Sequence, residues 1–416
     1  MSPVVNKFES LLGPDQVMSW SNLGDNRFET NNDLRIVFPE SIEQLSAVVR
    51  ICYEQRLRIV TCGQRTKLHW GCYHKLNNAD VVISTAKLNR LVDHWVDDFT
   101  MRGEAGIAFA DLQAKLQPQN QFWPVDPLYA NQATLGGIVA TADGGSLRQR
   151  YGSVRDTVIG VQFVRYDGEV VKAGGRVVKN VAGYDLMKLM TGAYGTLGIL
   201  SQLTLRLYPM AVQSQTVVLS GPAEAIAEAA LQTRLQGITS SAMDLVGTDN
   251  GVRLAGRFQG IPAGVEEQVE RFETIAKTAG LTSKSAEDSS FWSSLALQLG
   301  SPTKVLCKIG VLPTHLVPLL QLLETFPSSW LARLHNASGL GLIALSADAH
   351  DVAGTLETLR SHCTTHKGYL TILQAPPSLT LEPWGYTGNA MDMMKAIKQQ
   401  FDPHGILNPG RFVGGI

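Results

Sequence analysis

Several familiar signatures are missing from this chain. No Gly-x-Gly-x-x-Gly follows a strand-like run, and no Gly-x-x-x-x-Gly-Lys-Ser/Thr loop occurs anywhere. Neither a Rossmann-type nor a P-loop nucleotide site is therefore expected. No Cys-x-x-Cys occurs, and the five cysteines (Cys52, Cys62, Cys72, Cys307, Cys363) are odd in number. That spacing excludes a zinc ribbon, an iron–sulfur cluster and a disulfide framework, and leaves the cysteines as small buried hydrophobes. No apolar run approaches the roughly 18 residues that span a bilayer. Neither sign of charge dominates: 36 basic and 37 acidic residues give a net charge of −1. A sequence-independent nucleic-acid surface, which needs clustered excess Lys and Arg, is not expected. Met1-Ser-Pro-Val-Val-Asn-Lys7 has no basic segment running into an apolar stretch. The expected compartment is the cytoplasm, with a membrane reached only through a partner.

What is present is an ordinary globular balance, 44% hydrophobic and 18% charged over 416 residues. That length holds two or three domains with separate cores. Residues 40–57 read as an amphipathic helix capped by Ser41, with Gln44 three residues on as in a capping box. Strands are predicted at 58–62 and 80–84, on either side of the turn at Asp97-Asp98, and at 200–207; a helix is predicted near 108–117. Residues 158–166 and 169–172 flank Asp167-Gly168 and read as a hairpin. Beyond about 212 the pattern changes. Strands at 214–219, 242–247, 252–258, 304–311, 340–346 and 369–374 alternate with helices near 222–235, 263–279, 314–325 and 350–366, and a last helix covers 391–401. The predicted fold class is α+β. The expected domains are 1–211, 212–385, and a tail over 386–416 that returns to the first.

The most informative stretch runs from Gly174 to Ile199, with six glycines among apolar residues and with Lys179, Asn180, Tyr184 and Asp185. Glycine allows close approach of backbone to a ligand or a positive φ; a glycine-punctuated core gives the same pattern. Gly63-Gln-Arg-Thr66 follows a predicted strand, so its successive N–H groups suit an anion-binding nest, or else an ordinary strand–turn–strand loop. Pro124-Val-Asp-Pro127 makes a rigid turn. In Thr134-Leu-Gly-Gly137 the glycines suit backbone lying against a flat ring, and the hydroxyl suits a ligand oxygen.

In that order, and with Tyr151-Gly-Ser-Val-Arg-Asp156, these segments resemble the FAD-binding domain of the vanillyl-alcohol oxidase / p-cresol methylhydroxylase (PCMH) family. Val178-Lys-Asn-Val-Ala-Gly-Tyr-Asp185 is similar to the FAD-binding subunits of bacterial glycolate oxidases (glycolate dehydrogenases). The resemblance covers roughly 35–210 and 401–411. It implies a two-subdomain PCMH-type FAD domain followed by an antiparallel sheet with helices. It places Gly63, Gln64, Arg65 and Thr66 on the FAD pyrophosphate, and Pro127, Thr134, Gly136, Gly137, Ala140, Gly144 and Gly145 along the isoalloxazine and ribityl chain. Gly195, Gly198 and Ile199 fall at the adenine end, and Asn408 returns to the flavin from the C-terminus. Arg65 departs from the family, which usually has a second glycine there. His69 and His74 lie near the phosphate loop, but the loop itself has no histidine, so non-covalent FAD is expected.

Other side chains stand outside this scheme. Arg148, Arg150 and Arg155 form a basic cluster, read as a solvated face, a docking surface or a carboxylate clamp. His362 and His366 have helical metal-ligand spacing without an identifiable third ligand, so no metal is expected. Related D-2-hydroxyacid dehydrogenases carry His-x-Gly-Asp-Gly-Asn-x-His in the second domain; Leu334-His-Asn-Ala-Ser-Gly-Leu-Gly-Leu342 offers His335 but lacks the acid and the second histidine. The resemblance therefore implies an FAD-bearing subunit that works with a related flavoprotein and an iron–sulfur subunit. The alternatives are a non-catalytic flavin subunit, and a self-sufficient D-2-hydroxyacid dehydrogenase in which Arg253, Arg257 or Arg333 grips the substrate carboxylate.

Overall fold

The computed structural model describes residues 3–31, 33–76, 78–176, 184–348, 351–379 and 381–416. Most of the Val178–Asp185 signature lies outside the described residues. The chain divides into two compact units, Met1–Asp143 with Ser153–Pro209 and Thr387–Ile416, and Gly144–Gly152 with Met210–Tyr386.

The first unit starts from the helix Ile42–Glu54. The Ser41 hydroxyl accepts the Gln44 N–H at 3.2 Å, while the Gln44 side chain accepts the N–H of Glu40, one residue before the cap, at 2.8 Å. Leu45, Val48, Val49 and Cys52 on its apolar face are all 0% exposed, each worth roughly 1.5–3 kcal/mol for a large side chain. They cover a four-stranded sheet of Val17–Ser19 (β1), Arg35–Val37 (β2), Ile59–Cys62 (β3) and Val81–Ser84 (β4), in the order β1-β2-β4-β3. β2, β4 and β3 are parallel and β1 is antiparallel. A short turn after Glu54 leads from the helix into β3.

Next come Leu91–Trp95 (β5), Thr100–Glu104 (β6), Gln121–Phe122 (β7), Val158–Val164 (β8), Val170–Gly174 (β9), Ile199–Arg206 (β10) and Tyr208–Pro209 (β11). Five of these make an antiparallel sheet ordered β5-β6-β10-β8-β9, and β7 pairs with β11. The hairpin read around Asp167-Gly168 is β8–β9, with Val164 opposite Val170. Its core gathers Met101, Leu112, Leu135, Ile138, Leu203 and Leu205 around Trp123, whose indole N–H donates to Thr157 Oγ1 at 3.0 Å. The C-terminal segment joins this unit beside β3: the Ile59 N–H donates to Ile406 O and the Asn408 N–H to Ile59 O, both at 2.7 Å.

The second unit is one antiparallel sheet of Gln213–Ser220 (β12), Ala242–Thr248 (β13), Gly251–Gly260 (β14), Thr282–Ala286 (β15), Lys304–Gly310 (β16), Trp330–His335 (β17), Leu340–Ser346 (β18) and Tyr369–Gln374 (β19). The order is β15-β12-β14-β13-β17-β18-β16-β19. Helices Ala223–Leu235, Pro262–Thr278, Leu316–Glu324 and Val352–Thr365 match the predicted ones closely, and Asp288–Leu299 is additional. Two strands are also additional. β15 is a polar edge with four of its five residues exposed, so it lacks the alternation that marks a half-buried strand. β17 is buried on both faces, which erases alternation for the opposite reason.

Candidate cofactor site

β3 and β4 run parallel, and their carboxyl ends open into the chain segments that line a cleft within the first unit. That is where ligands sit on open parallel sheets. One wall is Thr61 to Leu68, leaving β3. A second is Thr134, Gly136, Gly137, Ala140 and Thr141, and a third is Tyr194, Gly195, Gly198, Ile199 and Leu200; Thr85 and Arg411 complete it.

Among the described residues, none accepts the N–H groups of Gln64, Arg65 or Thr66. Three successive backbone donors left unmatched at a cleft form a nest for an anion. Gly63 starts the loop because it passes directly against Thr134: a Cβ there would lie 2.2 Å from Thr134 Oγ1. Arg65 takes a left-handed conformation, φ 62°. This is a position where glycine costs least, which accounts physically for the usual glycine there. Its Nε lies 3.5 Å from Asp25 Oδ2. Asp25 also pairs with Arg27 at 2.7 Å.

Thr134 caps the helix Leu135–Thr141, its Oγ1 accepting the Gly137 N–H at 3.2 Å. A Cβ on Gly137 would meet only that oxygen, at 3.0 Å, and otherwise open space. Gly136 is different, since its Cβ would strike the Ala105 side chain at 2.8 Å and its N–H already donates to Ala105 O at 2.7 Å. The far end of the same helix is tied by the Gly192 N–H to Val139 O and the Tyr194 N–H to Ala140 O. Tyr194 and Gly195 both have positive φ, 53° and 73°. A Cβ on Gly195 would lie 2.7 Å from both Asn408 Nδ2 and Thr61 Oγ1.

The structure thus brings Gly63, Gln64, Arg65, Thr66, Thr134, Gly136, Gly137, Ala140, Gly195, Gly198 and Ile199 to one cleft. Pro127 is buried but does not line it. Gly144 and Gly145 fall in the segment that clusters with the second unit. Asn408 lies behind the wall: its amide accepts the Thr61 N–H at 3.0 Å and donates to Thr61 Oγ1 at 2.9 Å and Gly195 O at 2.8 Å.

Sequence reasoning missed three lining or supporting groups. Lys67 and Asp143 form a buried pair at 2.8 Å, and burial pulls the Lys67 ammonium below its usual pKa. Arg411 is 6% exposed and reaches in from the C-terminal segment. Nothing in the spacing of Lys67 and Asp143 marks a pair across 76 positions. The Cys62 thiol, also lining, is pushed up to about 11 by burial and is protonated at neutral pH.

In the second unit, Asp244 and His335 are opposite each other on β13 and β17. Asp244 Oδ1 lies 2.9 Å from His335 Nδ1, and its Oδ2 accepts the Ser146 hydroxyl. Burial raises the Asp244 carboxyl, but His335, Arg333 and the Ser146 hydroxyl together outweigh it and bring the carboxyl below its usual pKa. Of the three arginines, Arg253 is exposed, Arg257 is locked on Asp288 at 2.5 Å, and Arg333 is buried. His362 and His366 stack with ring centroids 4.4 Å apart, and His315 stacks on His366 at the same separation. Among the described residues, no three His, Cys, Asp or Glu side chains converge as a metal site, and no helix is long and apolar enough to cross a membrane.

Two family models match the chain, the FAD binding domain over residues 34–174 and the C-terminal domain of FAD linked oxidases over residues 383–412. The chain therefore carries an FAD binding domain and a C-terminal segment of the FAD linked oxidase type. Its cofactor is FAD. It is 29% identical to the D-lactate dehydrogenase [cytochrome], mitochondrial, of Arabidopsis thaliana, over 91% of this chain and 73% of that protein. It is 35% identical to a D-2-hydroxyglutarate dehydrogenase of Xanthomonas citri over 46% of this chain and 40% of the other. Glycolate oxidase subunit GlcD of Bacillus subtilis is 30% identical over 44% of this chain and 38% of that one. Among solved structures, p-cresol methylhydroxylase superposes with a TM-score of 0.74 at 15% identity, covering 98% of this chain and 96% of the other. The expected PCMH-type α+β fold is therefore the observed one. The residues at the cleft fit an FAD: unmatched N–H donors and cations for a diphosphate, and Gly137, whose side of the wall is open.

Proposed function

We propose that this chain is the FAD-bearing subunit of a 2-hydroxyacid oxidoreductase of the glycolate dehydrogenase type, with its flavin held non-covalently and its electrons passed to a partner. The observation that carries the flavin part is the row of unmatched N–H groups at Gln64, Arg65 and Thr66, in the cleft that the open side of Gly137 also lines. FAD supplies two-electron chemistry when bound, and the protein supplies its binding and electrostatic setting. The 63–66 loop holds the diphosphate, Thr134 and Gly137 give a low wall, and Asn408 keeps the two glycine turns in register from behind. No histidine lies in the 63–66 loop to form a covalent link. Transfer to a partner is supported by the cysteines, whose spacing suits no cluster. Glycolate or a similar small 2-hydroxy acid is the proposed substrate class, an iron–sulfur protein and a related flavoprotein the proposed partners, and the cytoplasm the proposed compartment.

A second reading has a specific observation behind it: mitochondrial D-lactate dehydrogenases align over 91% and 98% of the chain. In that reading the chain is a self-sufficient dehydrogenase. The segment from Leu334 to Leu342 argues against it, because it lacks the acid and the second histidine of that motif, and the His335 Nδ1 is already engaged by Asp244. Steady-state assays of the FAD-loaded chain with glycolate and with D-lactate, using an artificial acceptor, decide between them. Negligible turnover alone and turnover on adding the co-purifying chains supports the subunit. Full turnover by the chain alone, lost on Arg333→Met, establishes the dehydrogenase instead.

A further inference from the structure

Arg411 is a buried guanidinium with no carboxylate partner among the described residues. Its Nη1 donates to Thr61 O at 3.1 Å and its Nη2 to Lys67 O at 3.2 Å, so it bridges the two ends of the 63–66 loop. Nη1 also approaches Asn408 Oδ1 at 3.4 Å. Its Nε is buried without a hydrogen-bond partner. The groups facing it are the rings of Tyr73 and Tyr194, with centroids 5.7 and 6.0 Å away, and Cys62. Uncompensated buried charge is strongly unfavourable, so a residue kept in this state answers to a charge brought from outside.

The charges around the loop agree. The charged side chains lining the cleft are Arg65, Lys67 and Arg411, all cations. Lys67 is neutralised by Asp143, and Arg65 shares the single carboxylate of Asp25 with Arg27. Four cations therefore stand against two carboxylates, leaving two positive charges, which is the complement of a diphosphate diester with its two ionised oxygens. We infer that Arg411 is a positioning residue for the FAD diphosphate: it braces the loop through the carbonyls of Thr61 and Lys67 and supplies the positive charge that the loop's N–H groups alone lack. This rests on the FAD reading and adds a residue, and a charge rule, to it.

The test is titration of the flavin-free full-length chain with three probes: FAD, ADP (a diphosphate without flavin) and riboflavin (flavin without a diphosphate). Wild type should bind FAD, and that affinity should fall as salt rises from about 0.05 to about 0.5 M while riboflavin binding stays flat. Arg411→Gln should weaken FAD and ADP by a common factor of roughly 10 to 100, the scale of a charge-assisted contact, and change riboflavin by less than about twofold. Arg411→Lys, which keeps the charge, should recover most of the loss. Equal weakening of FAD and riboflavin, unchanged FAD binding in Arg411→Gln, or salt-independent FAD binding by wild type would each overturn the assignment. Wild type that binds no FAD at all overturns the FAD reading itself, a separate result from wild type and Arg411→Gln binding FAD alike.

Discussion

Asn408 is 0% exposed, and both ends of its amide are committed to Thr61 and Gly195. Removing the amide strands the Thr61 N–H, the Thr61 hydroxyl and the Gly195 carbonyl in a buried place. Asn408→Ala should therefore cost about 2–4 kcal/mol, at about 1–3 kcal/mol for a stranded buried group with partial relief; urea unfolding followed by far-UV dichroism measures it, and a loss under about 0.5 kcal/mol would show the network to be dispensable. Gly63→Ala places a Cβ on Thr134 Oγ1 and should abolish flavin uptake in a folded protein. Adding Thr134→Ala removes the atoms at 2.2 and 2.7 Å, leaving the one at 2.9 Å, and should restore part of it. A single mutant with normal uptake would remove close approach as the reason for the glycine. Asp244 gives a pH signature. Its native pKa is lowered, so between that value and the unfolded one, about 3.9, the unfolded chain binds the extra proton. Its contribution is present above about pH 4 and lost as pH falls through the native pKa. Asp244→Asn should flatten the acid limb of the stability curve below pH ~4; an unchanged acid limb contradicts this.

At the scale of elements, the cleft depends on a loop and a short helix meeting at glycines. Gly137→Val pushes a branched side chain into the open side of the wall, and valine is stiff at χ1. It should lower FAD affinity by roughly 5- to 150-fold, given about 1–3 kcal/mol for overpacking, without changing the unfolding of the second unit; equilibrium titration of FAD fluorescence measures it, and unaltered affinity would displace this wall from the flavin site. The elements that the sequence made legible have one face buried or a strong boundary: Ile42–Glu54 with its Ser41 cap, and the β8–β9 hairpin around Asp167-Gly168. Those that escaped have uniform burial or uniform exposure. β17 carries Arg333 and His335 inside a fully buried strand, where a charged residue reads as a loop. β15, Thr-Ser-Lys-Ser-Ala, has one apolar residue to register.

Over the whole molecule, the cleft was legible wherever chemistry is written locally, as in Gly63–Thr66, Thr134–Gly137 and Gly195–Ile199. It was illegible wherever partners are far apart in sequence. Arg411 meets Thr61 across 350 positions and Lys67 across 344, and the fold alone brings them together. The same holds for Asn408, whose motif suggested the flavin and whose amide is instead spent on the wall behind it. The central claim is that this architecture holds one FAD without a covalent bond. Acid precipitation of the FAD-saturated chain tests it most directly. The account predicts that all yellow colour leaves the pellet and that the supernatant contains FAD at one equivalent per chain. Flavin retained on the pellet would contradict the non-covalent part, and a colourless chain that cannot be reconstituted with FAD would contradict the claim itself.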